Sequence, residues 1–134
     1  MPGSLRGLAG VLLLGGCMVG PNAQKLGPGG VPVVLGTTVA EPAPHHRIEG
    51  ELLAADDSGL VVLSGGRLVR VEYGALTRAS MPVSRYRPTK GRPPDAGELS
   101  IIRKLSRFPQ GIAPALMGRL LVAQNQTTVD VVRR

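Results

Sequence analysis

Apolar and polar positions are most regularly ordered between residues 47 and 79. Ile48, Leu52, Leu53 and Ala54 lead into Asp56-Asp57-Ser58-Gly59, whose short polar side chains and glycine favour a tight turn. Leu60-Val61-Val62-Leu63 follows, then Ser64-Gly65-Gly66, a two-glycine signal for a β-hairpin. Residues 68–73 then alternate, with Leu68, Arg70 and Glu72 on one face and Val69, Val71 and Tyr73 on the other. The turns are too closely spaced for helices. The pattern predicts a small antiparallel β-meander or partial barrel over residues 47–79.

The period changes after residue 95. Asp95 stands three positions before Glu98, the arrangement of a capping box. Leu99, Ile102 and Leu105 then recur on one helical stripe, broadened by Ile101 and Phe108, and Arg103, Lys104 and Arg107 complement the negative end of the dipole. Pro109 disfavours helical geometry at Phe108, so a helix over 98–108 stops there. Pro114 suits the first turn of a second helix, over 114–124, that presents Leu116, Met117, Leu120 and Leu121. Residues 127–132 are rich in β-branched side chains and predict a last strand. Together these elements give an α+β domain over 47–134, its sheet covered by two C-terminal helices. A basic, proline-rich loop spans 80–97. No internal repeat is present.

The N-terminal third reads differently. Residues 8–16 are apolar and uncharged, with Leu12, Leu13 and Leu14 in a run after Arg6. A basic start, an apolar stretch and small residues make the pattern of a secretory signal, here residues 1–16. Nine such residues are too few for a helix to cross a hydrocarbon core of about 30 Å. Residues 17–46 are dense in glycine and proline and predict a flexible tether, interrupted at 31–40 by a short apolar run that suits an edge strand.

Leu14-Gly15-Gly16-Cys17 resembles the lipobox of bacterial lipoproteins. The resemblance implies cleavage before Cys17, a diacylglyceryl group on its thiol and an acyl chain, such as palmitate, on its new amine. Two or three acyl chains, at about 0.8 kcal/mol per buried CH₂, anchor a protein stably where one does not. Met18 stands where aspartate would resemble an inner-membrane retention signal, which favours the outer membrane within the cell envelope. The chain's only cysteine occupies the position that this resemblance requires, so no internal disulfide is expected. Gly50-Glu51-Leu52, ahead of an acidic turn and an apolar strand, resembles the bent-strand core of Sm-like and SH3-like small β-barrels. No Arg-Gly loop of the second Sm motif is found, so no RNA-binding residue is carried over.

Composition adds two constraints. Aromatic residues make up only 2% of the chain, with no tryptophan, so the core must be aliphatic. The net charge is +7, and the ten cations from Arg67 to Arg107 face only Glu72, Asp95 and Glu98 there. Such a field suits polyanions or anionic headgroups. The candidate contacts are Arg85, Arg87, Lys90, Arg92, Arg103, Lys104 and Arg107. Nucleic acid is the rival partner, in a reading where the chain is a cytosolic Sm-like protein that keeps its N-terminus, but stacking platforms there are limited to Tyr73 and Tyr86. His45 and His46 are adjacent, and in an extended chain their rings diverge, so no metal site is expected. Asp56 and Asp57 read as turn residues, and no catalytic set or phosphate loop is found. The expectation is a non-enzymatic envelope lipoprotein without a cofactor. Its partners are the membrane, through the anchor, and an envelope protein or anionic headgroup.

Overall fold

The computed structural model describes residues 29–38 and 47–134. Six strands form one open sheet: β1 (Pro32–Thr37), β2 (Arg47–Ala55), β3 (Gly59–Ser64), β4 (Arg67–Glu72), β5 (Leu76–Ser80) and β6 (Asp130–Val132). Their order is β5-β1-β2-β3-β4-β6, antiparallel except where β6 lies parallel to β4. Two helices, α1 (Ala96–Leu105) and α2 (Pro114–Ala123), complete the α+β domain. The predicted signal at 1–16, Cys17, His45 and His46 lie outside the described residues.

Turn chemistry builds the meander that the pattern predicts. Asp56 Oδ1 accepts from the N–H of Ser58 at 2.8 Å and of Gly59 at 3.0 Å, which closes the turn from β2 to β3. Arg70 reaches the same carboxylate from β4 at 2.9 Å. Burial would raise the Asp56 pKa, but the Arg70 guanidinium and the two backbone donors outweigh it and hold the group at about 2. Gly65 and Gly66 have φ of 57° and 78°, the left-handed pair that a two-residue hairpin between Ser64 and Arg67 requires.

Strand β2 is long and shared. Glu51 lies opposite both Pro32 of β1 and Leu63 of β3, so the first half of β2 pairs with one neighbour and the second half with the other. A bulge between Leu52 and Ala54 then breaks the alternation. Leu53 and Ala54 consequently share one face, while Leu52 and Ala55 share the other. Gly50 permits the close approach of β3: a Cβ there would run into the carbonyl oxygen of Leu63.

The sheet carries apolar side chains on both faces, and each helix takes one. On the first face Leu52, Leu60, Val62 and Val71 are buried beneath Leu99, Ile102 and Leu105 of α1. On the second, Leu53, Val61 and Leu68 meet Phe108, Met117, Leu120 and Leu121. Strand β3 is therefore covered twice, which explains its unbroken apolar run. The basic helix is not a free amphipathic segment, since its apolar stripe is spent on the core. Its start follows the predicted capping box: Asp95 accepts from the N–H of Glu98, and the Glu98 side chain accepts from the N–H of Asp95.

Two segments depart from expectation. Residues 32–37, placed within the predicted tether and read at most as an edge strand, form an inner strand between β5 and β2. Val33 and Leu35 are fully buried there, and Pro32 is tolerated because it opens the strand. The sheet thus begins well before residue 47. The proline-rich loop is tied down by Tyr86, whose ring stands edge-on to Tyr73 with centroids 5.9 Å apart and whose hydroxyl donates to the carbonyl of Arg92. Burial pushes the Tyr86 phenol up to about 12, above its unfolded value of 10.0. The neutral phenol is the form that the fold favours, so its stabilisation is complete below pH 10 and is lost as pH rises toward 12. Thermal melts followed by circular dichroism should show the midpoint falling across that window, with a shallower fall in Tyr86→Phe.

A side chain replaces a strand at the far edge. Gln126 is buried after α2, accepting the Leu68 N–H at 2.6 Å and donating to the Leu68 carbonyl at 3.1 Å. These are the bonds that a neighbouring strand would supply, and they hold the end of α2 to the start of β4.

Candidate functional site

Among the described residues the cations fall into two groups, those paired with carboxylates and those without an acidic partner. Arg47, Arg67, Arg70, Arg92, Arg103, Arg107 and Arg133 are each within 4.0 Å of a carboxylate, on Glu49, Asp130, Asp56, Glu98, Asp57, Glu51 and Glu72 respectively. Asp95, the remaining described carboxylate, caps α1. Arg78, Arg85, Arg87, Lys90, Lys104, Arg119 and Arg134 have no acidic partner among the described residues.

Arg78, Arg85 and Arg87 converge. The chain leaves β5 at Ser80, turns at Pro82 and Val83, and runs back past the strand it has just left. Val83 has a φ of 72°, a conformation that β-branched residues seldom adopt, and Ser84 N–H donates to the Pro82 carbonyl at 2.7 Å to close the turn. Beyond the turn exposure alternates residue by residue: Arg85 and Arg87 are exposed, Tyr86 and Pro88 buried. Tyr86 is drawn into the core, and that places Arg85 and Arg87 on the outside. With Arg78 of β5 they line an open hollow of about 320 Å³ whose floor includes Ser80 and Ser84. Arg78 and Arg87 also line an adjoining hollow of about 190 Å³ beside Thr77 and Thr89. No carboxylate lines either one. Three arginines with Ser80 and Ser84 around an open depression suit an anion with several oxygens, because guanidinium donors match phosphate and carboxylate geometry.

The seven cations expected from the sequence therefore divide. Arg85 and Arg87 join the basin, and Lys90 follows it in a 3-10 turn over Thr89–Gly91. Arg92 is occupied: it lies over the Tyr86 ring at 5.4 Å, pairs with Glu98 at 3.0 Å and donates to the Arg87 carbonyl at 3.0 Å. Arg103 donates to the Ala55 carbonyl at 3.3 Å, and Arg107 reaches Glu51 at 3.4 Å. Lys104 is exposed on α1, away from the basin loop in sequence. Arg78 is absent from the expected set, although a signal for it exists: residues 73–94 contain no Asp or Glu at all.

A second depression, of about 580 Å³, lies where α2 crosses the second face. Leu53, Leu63, Leu68, Phe108, Leu116 and Leu120 line it, with Arg107 and Gln124 at its polar positions. Elsewhere, Asp56 and Asp57 turn to different partners, Arg70 and Arg103, so they do not form a shared carboxylate pair. Among the described residues no three His, Cys, Asp or Glu side chains gather as a metal site, and no helix is long and apolar enough to cross a membrane. No family model, no curated protein and no solved structure matches the chain.

Proposed function

We propose that the protein is an envelope lipoprotein, anchored through Cys17, whose domain is a non-enzymatic module that binds a polyanionic envelope component in the Arg78–Arg85–Arg87 basin. The convergence of three arginines without a carboxylate carries this reading. Unpaired like charges held together repel one another, and a multivalent anion relieves that repulsion while releasing little ordered structure. The anchor explains why such an anion would be met at a membrane. The bent β2, shared between β1 and β3, supports the likeness to small barrels. Tyr73 and Tyr86 favour an envelope anion over single-stranded nucleic acid, because both are only 2% exposed and neither offers a face for a base.

Binding of inorganic polyphosphate to the full chain tests the basin. Replacing Arg78, Arg85 and Arg87 together by serine is expected to weaken binding at least tenfold, about 1.4 kcal/mol, and to flatten its salt dependence. Replacing Lys104 and Arg134 is expected to leave affinity within about twofold, near 0.4 kcal/mol. Equal losses in the two variants would reduce the basin to general surface charge and overturn the proposal.

A further inference from the structure

Helix α2 is seated without being buried. None of its residues is buried, and Val122 is 76% exposed. Its sequence is apolar nearly all round, PALMGRLLVA, with Arg119 as its single charge. A helix of this kind in a water-soluble domain normally buries one stripe and shows polar residues on the other. Here the stripe covers the second face only partly and leaves the apolar groove beside it open. From Phe108 to Val129 the chain carries Arg119 and no carboxylate. An anionic surface repels carboxylates and attracts the one cation present, whose long side chain can reach headgroups while its stem stays among apolar groups.

The position of the N-terminal side points to the same surface. Gly30 donates its N–H to Glu51 at 2.7 Å, and Glu51 pairs with Arg107 at the rim of the groove. Val31 donates to the carbonyl of Leu105 at 3.0 Å, two residues before Arg107 in the chain. The chain arriving from Cys17 therefore joins the domain at the groove's edge. Residues 18–28 are all that separate Cys17 from Gly29. Eleven residues span at most about 40 Å when fully drawn out. That is much shorter than a tether running to residue 46, and it holds this corner of the domain close to the headgroups.

We propose that the groove and the outer side of α2 form the face that the domain lays on the bilayer holding its anchor, a surface of anionic phospholipid. The proposal rests on the reading of Cys17 as a lipid anchor. In the docked state Val122 and Leu116 enter the boundary between headgroups and acyl chains, Phe108 sits at the same level, and Arg119 contacts phosphate. The basin lies along β5, which β1 separates from the strands that α2 covers.

The absence of tryptophan makes a direct test available. The full chain carrying Val122→Trp is reconstituted in vesicles of phosphatidylethanolamine and phosphatidylglycerol, with and without brominated acyl chains, and its intact mass is recorded. A second chain carries Ser100→Trp, at an exposed position on α1, which packs on the opposite face of the sheet. The expected result is a lipid-modified mass, a blue-shifted Val122→Trp emission that brominated lipid quenches by most of its intensity, and a Ser100→Trp emission that it leaves unchanged. A lipid-modified chain whose Val122→Trp emission is unquenched overturns the docked face and spares the anchor. Blue-shifted but unquenched emission assigns α2 to another protein surface, a second copy included, and also overturns it. A mass without lipid removes the anchor reading and the docking together.

Discussion

Replacing Gly50 by alanine is expected to lower the thermal midpoint of the domain by roughly 12–24 °C, the shift for about 3 kcal/mol in a domain of this size. The added methyl group meets the carbonyl oxygen and carbon of Leu63, which are backbone atoms, and the Cγ1 of Val62 at 2.9 Å. No side-chain rotation relieves contacts with backbone, so β2 and β3 must separate where β2 passes from one partner to the other. The same substitution at Gly118 should act in the opposite direction. A Cβ there meets nothing within 4 Å, and alanine in a helix interior is favoured over glycine by about 1 kcal/mol. Melting curves of the two variants read both signs, and a Gly50→Ala protein as stable as the parent would mean that the strands do not approach as described.

Ile102→Ala is expected to cost about 2–5 kcal/mol, the range for removing a large aliphatic side chain from a closed core. Ile102 is 0% exposed on the inner side of α1, against the first face of the sheet. Its neighbour Ile101 is 41% exposed, and Ile101→Ala should stay within about 0.5 kcal/mol of the parent. Urea denaturation of both variants distinguishes the roles of the helix. Packing on the sheet gives the unequal pair of losses, whereas a helix held only by a membrane surface would give two small ones in solution. Leu99, Ile102 and Leu105 are spent on the core, which is why the membrane-facing role is proposed for α2 and not for the more basic α1.

Much of this architecture is legible in residue order, wherever one local rule acts alone. The two tight turns follow from Asp56 and from Gly65-Gly66, and the start of α1 follows from Asp95 and Glu98. Each is a short-range hydrogen-bonding or steric requirement, so neighbouring residues suffice to reveal it. The hidden features are those in which a distant partner overrides the local signal. Residues 32–37 sit among prolines and glycines, and only their pairing with β2 and β5 makes them an inner strand. The division of the helices between two faces depends on the bulge at Leu53, which no period of two or 3.6 predicts. Tyr86 is buried from within a segment that reads as a solvated basic loop, and its burial is what turns Arg85 and Arg87 outward. Arg78 joins them only because β5 lies along that loop. The division between paired and unpaired cations is likewise a property of the folded chain, since Glu51 and Arg107 or Arg67 and Asp130 meet from far apart in sequence.

The proposed placement of the domain at a membrane rests on the thiol of Cys17 and is tested most directly by intact mass. Chain extracted from the membrane fraction should begin at Cys17 and carry the added mass of a diacylglyceryl group, with or without an amine-linked acyl chain. The Cys17→Ser chain should lack that mass and leave the membrane fraction. A wild-type chain recovered in the soluble fraction with residues 1–16 still attached and no added mass would contradict the account.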